Sequence, residues 1–276
     1  MDKHIQQSDT AQDKIVLEAS FSCHIGDVRQ INEDRVLAKK YQVKDEEWGL
    51  FLVADGMGGM SRGSEASQTI VDVLSDWWDN TLKAMLSNTF DQSAIVESLD
   101  NAINQANSIV LAIQAEKMIG STLSLILVMG QQYVIRHVGD SRIYLLNKAI
   151  GIKQLTSDHS FVAEQIEAGI LTQEEAKIHP KRNVITRCIG MKEMPEMYEA
   201  TGKCEAGDLF LLCSDGFYHM VSEEDMLNTT FDTQLPDMEK KLRAMLKLVK
   251  KAGKAHDNVT VVLVYLTDAD ETEVMK

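Results

Sequence analysis

Short apolar runs punctuated by Gly, Asp and Asn alternate along the chain with stretches whose apolar residues recur at helical spacing. The runs at residues 15–23, 50–54, 122–129, 133–138, 142–146, 209–213 and 259–266 predict strands, several of them closed by turn residues such as Gly130-Gln131 and Gly139-Asp140-Ser141. Residues 64–86 and 92–115 predict amphipathic helices. The second sets Ile95, Leu99, Ile103, Ala106, Val110 and Ile113 on one face. A Lys-rich helix is expected at 236–251 with its charges as a solvated face, and a short helix at 161–168. Residues 155–190 are less apolar and read as an excursion from the core. The polar residues 1–14 and 268–276 read as tails around one folded domain at 15–267. No repeat of solenoid period is present.

Composition narrows the function classes. The chain has 276 residues, 44% of them hydrophobic, enough for a substantial core. Its formal net charge of −14 argues against general nucleic-acid binding or an anionic membrane surface, so an anionic substrate must be drawn by local cations. The four cysteines, Cys23, Cys188, Cys204 and Cys213, form no Cys-x-x-Cys pair and read as reduced thiols, mostly in the core. The polar N-terminus lacks a signal-peptide pattern and no apolar run reaches bilayer length, so a cytoplasmic location is expected; a monomer is expected separately.

The candidate chemistry sits where strands meet turns. The run Leu50 to Ala54 closes in Asp55-Gly56, a pair that also suits a hairpin turn. No return strand follows; Gly58, Gly59 and Gly63 lead into helical spacing, and the same strand, Asp-Gly, helix order recurs at Asp215-Gly216. Asp257-Asn258 stands directly before a strand. Antiparallel neighbours place one strand's finish beside the other's start, so Asp55, Asp215 and Asp257 are expected at one sheet edge. Asp140 is a further acid at a strand boundary, with a hairpin turn as the competing reading. The charge-dense Val28 to Arg35 segment is by itself compatible with a solvated turn. Clustered carboxylates need compensating positive charge. With oxygen ligands and no His or Cys cluster, magnesium or manganese is favoured over zinc or copper. Gly56 permits close approach and offers its carbonyl, two ions acidify a shared water for in-line attack on phosphorus, and the planar fork of Arg29 suits phosphate oxygens.

In order along the chain stand GDVRQINEDR, VADGMGG, GSTL, HVGDSRIYLL, LTSDHS, HPKRNVITRCIG, LLCSDGF and HDNVTVVLV. Each is weak alone; the ordered set, from about residue 22 to 266, resembles the metal-dependent Ser/Thr protein phosphatases of the PPM or type 2C family in their bacterial form. The resemblance implies an α+β fold: a four-layer α-β-β-α sandwich, two antiparallel sheets flanked by helices, with metals in a cleft between the sheet edges. It implies that Asp55 bridges two Mn2+ or Mg2+ ions with the Gly56 carbonyl, that Asp215 and Asp257 bind one of them, and that Asp34, helped by Glu33, holds a metal-bound water. Arg29 is implied to bind substrate phosphate, Asp140 to help bind a third ion, and residues 157–187 to form a flap that influences substrate choice. The implied reaction is one-step hydrolysis of phosphoserine and phosphothreonine in proteins by metal-bound hydroxide, with a cognate Ser/Thr kinase as counterpart.

The chain departs from the family pattern in places. Met57 replaces the histidine that follows Asp-Gly in eukaryotic members, leaving the general acid unassigned; a metal-bound water could serve, and His159 is the weaker candidate because a lone histidine is more often structural. Met60, Ser64 and His24 stand where His, Glu and Asp are common. A cysteine-dependent route is disfavoured because Cys213 is followed by Ser214-Asp215-Gly216-Phe217 and not by a phosphate-cradling loop with an arginine. The rival from another class is a catalytically silent family member acting as a regulatory or scaffolding module, against which stands the joint retention of Arg29, Asp34, Asp55, Asp215 and Asp257.

Overall fold

The computed structural model describes residues 14–269 apart from 45, 59–61, 88–90 and 115–117. Both predicted tails fall almost wholly outside these residues, as does Met60.

Among the described residues, eleven strands build two antiparallel sheets. One has the order β1 (Ile15–His24), β11 (Val259–Asp268), β10 (Leu209–Cys213), β7 (Arg142–Asn147), β8 (Gly151–Gln154). The other runs β2 (Asp34–Val43), β3 (Glu46–Gly58), β5 (Leu123–Met129), β6 (Gln132–Val138), β9 (Tyr198–Lys203), with β4 (Ile119–Ser121) pairing the end of β3.

Period-two alternation assigns each strand's two faces to different cores. Phe51, Val53, Phe210, Leu212, Val262 and Val264 pack between the sheets. Leu50, Leu52 and Ala54 face the other way, onto α1 (Gly63–Asp76) and α3 (Gln92–Ala112) through Ile70, Leu74, Leu99 and Ile103. Leu209, Leu211, Val261 and Leu263 turn outward onto α8 (Met238–Ala252), meeting Leu242, Met245 and Val249. Because both faces of the inner strands are buried, their sequences read as unbroken apolar runs, and the expected α-β-β-α layering is present.

Three details differ from the sequence expectations. The predicted helix at 64–86 is one helical path interrupted by a π-helical turn, Trp77–Leu82, which lets Trp77 and Trp78 both be buried before α2 (Lys83–Leu86). Asp55 does not end its strand: β3 runs on through Gly56 to Gly58, where the backbone pairs β4. The charged segment after Asn32 is the start of β2, whose Asp34 lies directly opposite Asp55 in the ladder.

The 155–190 excursion carries α4 (Phe161–Glu167) and α5 (Gln173–Ile178), its two ends joined by a Ser160–Ile185 bridge. No helix of the described residues is long and apolar enough to cross a membrane.

Candidate metal centre and active site

The acidic residues gather at one end of the sandwich, and the two sheets contribute separately. Asp34 and Asp55 face each other across the β2–β3 ladder of one sheet. Asp215, the first residue of α6 (Asp215–Tyr218) just after β10, and Asp257, before β11, belong to the other. The expectation of a single sheet edge for Asp55, Asp215 and Asp257 is therefore corrected. Strand ends and starts do adjoin within each sheet, but Asp55 reaches the others across the gap between sheets.

Backbone contacts too tight for any side chain fix this arrangement. A Cβ on Gly56 would stand 2.2 Å from the Gly63 carbonyl oxygen, so β3 and the start of α1 touch there. A Cβ on Gly216 would stand 2.0 Å from the Asn258 carbonyl oxygen, which locks α6 against the residue after Asp257.

Asp34 is 1% exposed. Its Oδ2 accepts hydrogen bonds from the hydroxyls of Ser214 (2.9 Å) and Thr260 (2.6 Å), while its Oδ1 is buried with no partner among the described residues. Burial raises its pKa from 3.8 to about 7, opposed by the two hydroxyls and reinforced by Asp215 and Asp257. Burial, then the charges of Asp34, Asp215, Asp140 and Asp257, hold the Asp55 carboxyl well above the usual range. Asp215 is raised by burial and by Asp257, and its Oδ1 is likewise buried without a partner. Asp140, 7% exposed, is pushed up to about 8 by burial and then by Asp215 and Asp158.

Asp257 is the most open of the group. The Nη2 of Arg29 donates to its Oδ2 at 2.7 Å. Arg29 thus stands at the carboxylate cluster, with Nη1 and Nε directed to no hydrogen-bond partner among the described residues. A cleft of about 1170 Å³ opens from Asp140, Asp215 and Asp257 toward α4 and α5; Asp34 and Asp55 are not among its lining residues.

The chain offers these carboxylates little compensating charge. Among the described residues no three His, Cys, Asp or Glu side chains are drawn tightly enough together, as they stand, to enclose an ion. The donor set nevertheless suits hard cations: two of the three orphaned buried side-chain atoms among the described residues are carboxylate oxygens of this cluster, and the surrounding acids raise the Asp55 carboxyl.

Other expected residues have different surroundings. Glu33 is turned to the start of α1, where its Oε1 accepts from Gly63 N–H at 2.9 Å. His159 is engaged in the fold: it is 5% exposed, its Nδ1 accepts from Gly139 N–H at 3.1 Å, and burial lowers its pKa to about 4. His24 Nδ1 accepts from Gly26 N–H at 2.9 Å. Cys213 is fully buried and burial pushes its thiol far up, so it supplies no nucleophile.

Several supporting groups escaped the sequence reading. Asn258 donates to the carbonyls of Ile25 (2.9 Å) and Ile31 (3.1 Å) and accepts from Glu33 N–H (2.9 Å), tying the loop that carries Arg29 to the start of β11. Thr122 Oγ1 accepts from Asp55 N–H at 2.9 Å. Their signal was adjacency: Ser214, Asn258 and Thr260 each lie within three residues of a candidate ligand, and Thr122 lies within GSTL.

Known proteins share this fold. A family model described as Protein phosphatase 2C matches residues 24–256. The protein phosphatase PhpP of Streptococcus pneumoniae is 34% identical over 256 residues, covering 92% of this chain and 99% of PhpP. The structure of the S. agalactiae serine/threonine phosphatase superposes with a TM-score of 0.79 at 32% identity, over 91% of this chain and 99% of that one. The catalytic domain of the serine/threonine protein phosphatase PstP, solved in complex with two manganese ions, gives 0.75 at 32% identity over 92% and 100%. With a family match over residues 24–256 and matching folds in solved relatives at 32% identity, the chain belongs to the protein phosphatase 2C family.

Proposed function

We propose that this phosphatase removes phosphate from phosphoserine and phosphothreonine in proteins with the help of manganese or magnesium held by Asp55, the Gly56 carbonyl, Asp215 and Asp257, with Asp140 serving a further ion. The observation that carries the reading is the pair of buried oxygens, Asp34 Oδ1 and Asp215 Oδ1, that have no partner among the described residues, within a cluster of mutually repelling carboxylates. When bound, such ions neutralise that cluster and lower the pKa of a water that can attack phosphorus.

The chain's own residues supply position. Asp34 is held by two hydroxyls through one oxygen, which leaves the other as a fixed acceptor for a proton of the attacking water. Arg29 offers the remaining N–H groups of its fork to the phosphate oxygens while Asp257 fixes its direction. Thr122 keeps the backbone at Asp55 in register. With His159 neutral and engaged, the serine or threonine oxygen released from phosphorus takes its proton from solvent in the open cleft. A phosphoprotein segment is the implied partner, and a Ser/Thr kinase its upstream source.

Initial rates on phosphothreonine, phosphoserine and phosphotyrosine peptides with manganese, with magnesium and after chelation test the proposal. Hydrolysis of the first two that disappears on chelation is expected. Turnover that survives complete metal removal contradicts it.

A further inference from the structure

The α4–α5 excursion rests very little on the core. None of the seven residues of α4 is buried, and in α5 only Ala176 is. Its contacts instead close it on itself: Phe161 N–H donates to the Val184 carbonyl at 2.8 Å, and Thr186 Oγ1 to Glu164 at 2.7 Å. A unit of this kind takes its place from its roots. The far root is the Ile189–Ser121 bridge, braced by Asn107, which accepts from Gly190 N–H at 2.8 Å.

The near root is polar and largely buried. Arg142 forks onto Asp158 through Nε (3.0 and 3.1 Å) and Nη2 (2.7 Å), with side chains only 24% and 13% exposed. Its Nη1 donates to the Tyr144 hydroxyl at 2.9 Å, and its guanidinium lies 3.8 Å from the centre of the Tyr218 ring. Gln154 also donates to Asp158, at 2.9 Å, and the next residue, His159, exchanges two hydrogen bonds with Gly139. Asp158 therefore joins three bodies: the flap, the strand that follows Asp140, and, through the Arg142–Tyr218 stack, the helix that begins at Asp215. All three line the same cleft, which the flap walls with Val162, Ala163, Ile166 and Arg182. A two-point fork of this kind fixes direction as well as distance, which a lysine in place of Arg142 cannot.

We propose that Arg142 and Asp158 form a positioning pair that sets the flap against the cleft, so that segments of a phosphoprotein flanking the phosphorylated residue meet a preformed wall. The proposal deepens the phosphatase reading and rests on it. A small ester that fills only the carboxylate end bypasses that wall; a peptide does not.

The test compares the full chain with Asp158→Asn, Asp158→Glu and Arg142→Lys, the last retaining the buried positive charge should Asp158→Asn fail to fold. Hydrogen exchange on the metal-free proteins is expected to quicken about tenfold across residues 160–188 in Asp158→Asn and Arg142→Lys, with the sheets unchanged. With manganese, KM for a phosphothreonine peptide should rise about tenfold in Asp158→Asn while kcat/KM for para-nitrophenyl phosphate stays within about twofold, and Asp158→Glu should recover part of the loss. Unchanged exchange in the flap overturns the anchor. Equal loss on both substrates overturns the role in substrate choice. Because exchange is read without substrate or metal, failure of the anchor is distinguished from failure of the phosphatase reading, which would appear as a wild-type protein inactive on both substrates.

Discussion

Replacing Asp34 by Asn should stabilise the metal-free protein while removing its activity. The carboxyl of Asp34 has a pKa of about 7 in the fold against an ordinary 3.8. The native state therefore holds a proton that the unfolded chain releases between these values, and stability falls as pH rises through that window, with the full deficit present above it. Each pH step of one across the window costs ~1.36 kcal/mol, so the deficit reaches about 4 kcal/mol at pH 8 and about 2 kcal/mol at pH 5. An amide keeps an acceptor for the Ser214 and Thr260 hydroxyls but buries an N–H where Oδ1 now lies unpartnered, at a cost of ~1–3 kcal/mol. The net expectation is a gain of about 1–3 kcal/mol at pH 8 and a change within about 1 kcal/mol of zero at pH 5. Urea denaturation of both proteins in excess chelator at the two pH values measures it. A variant no more stable than wild type at pH 8, or one whose gain is independent of pH, would refute the idea that a buried uncompensated charge is the origin of the strain.

The remaining predictions address single residues. Asp55→Asn should reduce kcat by about a thousandfold or more, whereas Asp140→Asn should cost about tenfold to a hundredfold; equal losses in steady-state assays would show that the role of Asp140 is misjudged. Arg29→Ala should leave the melting temperature within a degree or two, since the exposed pair with Asp257 is worth little, and raise KM for a phosphopeptide about tenfold with a smaller change in kcat. Gly216→Ala sets a methyl 2.0 Å from a backbone carbonyl that cannot retreat and should cost about 1–3 kcal/mol in thermal or urea unfolding. Manganese affinity should weaken with it, because Asp215 and Asp257 are displaced together.

What the sequence revealed depended on how far each feature reaches. The inner strands were legible because both of their faces are buried, which writes Leu50 to Ala54 and Val259 to Leu266 as apolar runs. Strand β2 was not: it lies at the edge of its sheet, and in DRVLAKKYQV only Asp34, Leu37 and Val43 are buried, so its charges masked it. Edge strand β9, YEATGK, with no buried residue, escaped for the same reason. The carboxylates announced themselves locally, but the spacing argument placed Asp55 with Asp215 and Asp257 because pairing between distant strands is not written in any one stretch; the family resemblance, which implies a cleft between two sheets, carried that long-range information. The supporting hydroxyls of Ser214 and Thr260 were hidden because a serine or threonine beside an aspartate reads equally well as a turn or a strand residue.

Manganese titration of the chelator-stripped protein, followed by calorimetry, tests the central claim most directly. At least two ions should bind per chain, with proton release below pH 8 as the raised carboxyls ionise. Asp55→Asn and Asp215→Asn should each lose binding, while an exposed change such as Glu174→Gln should not. Wild-type protein that is folded and binds no manganese, or that binds it undiminished after both aspartates are replaced, would contradict the account.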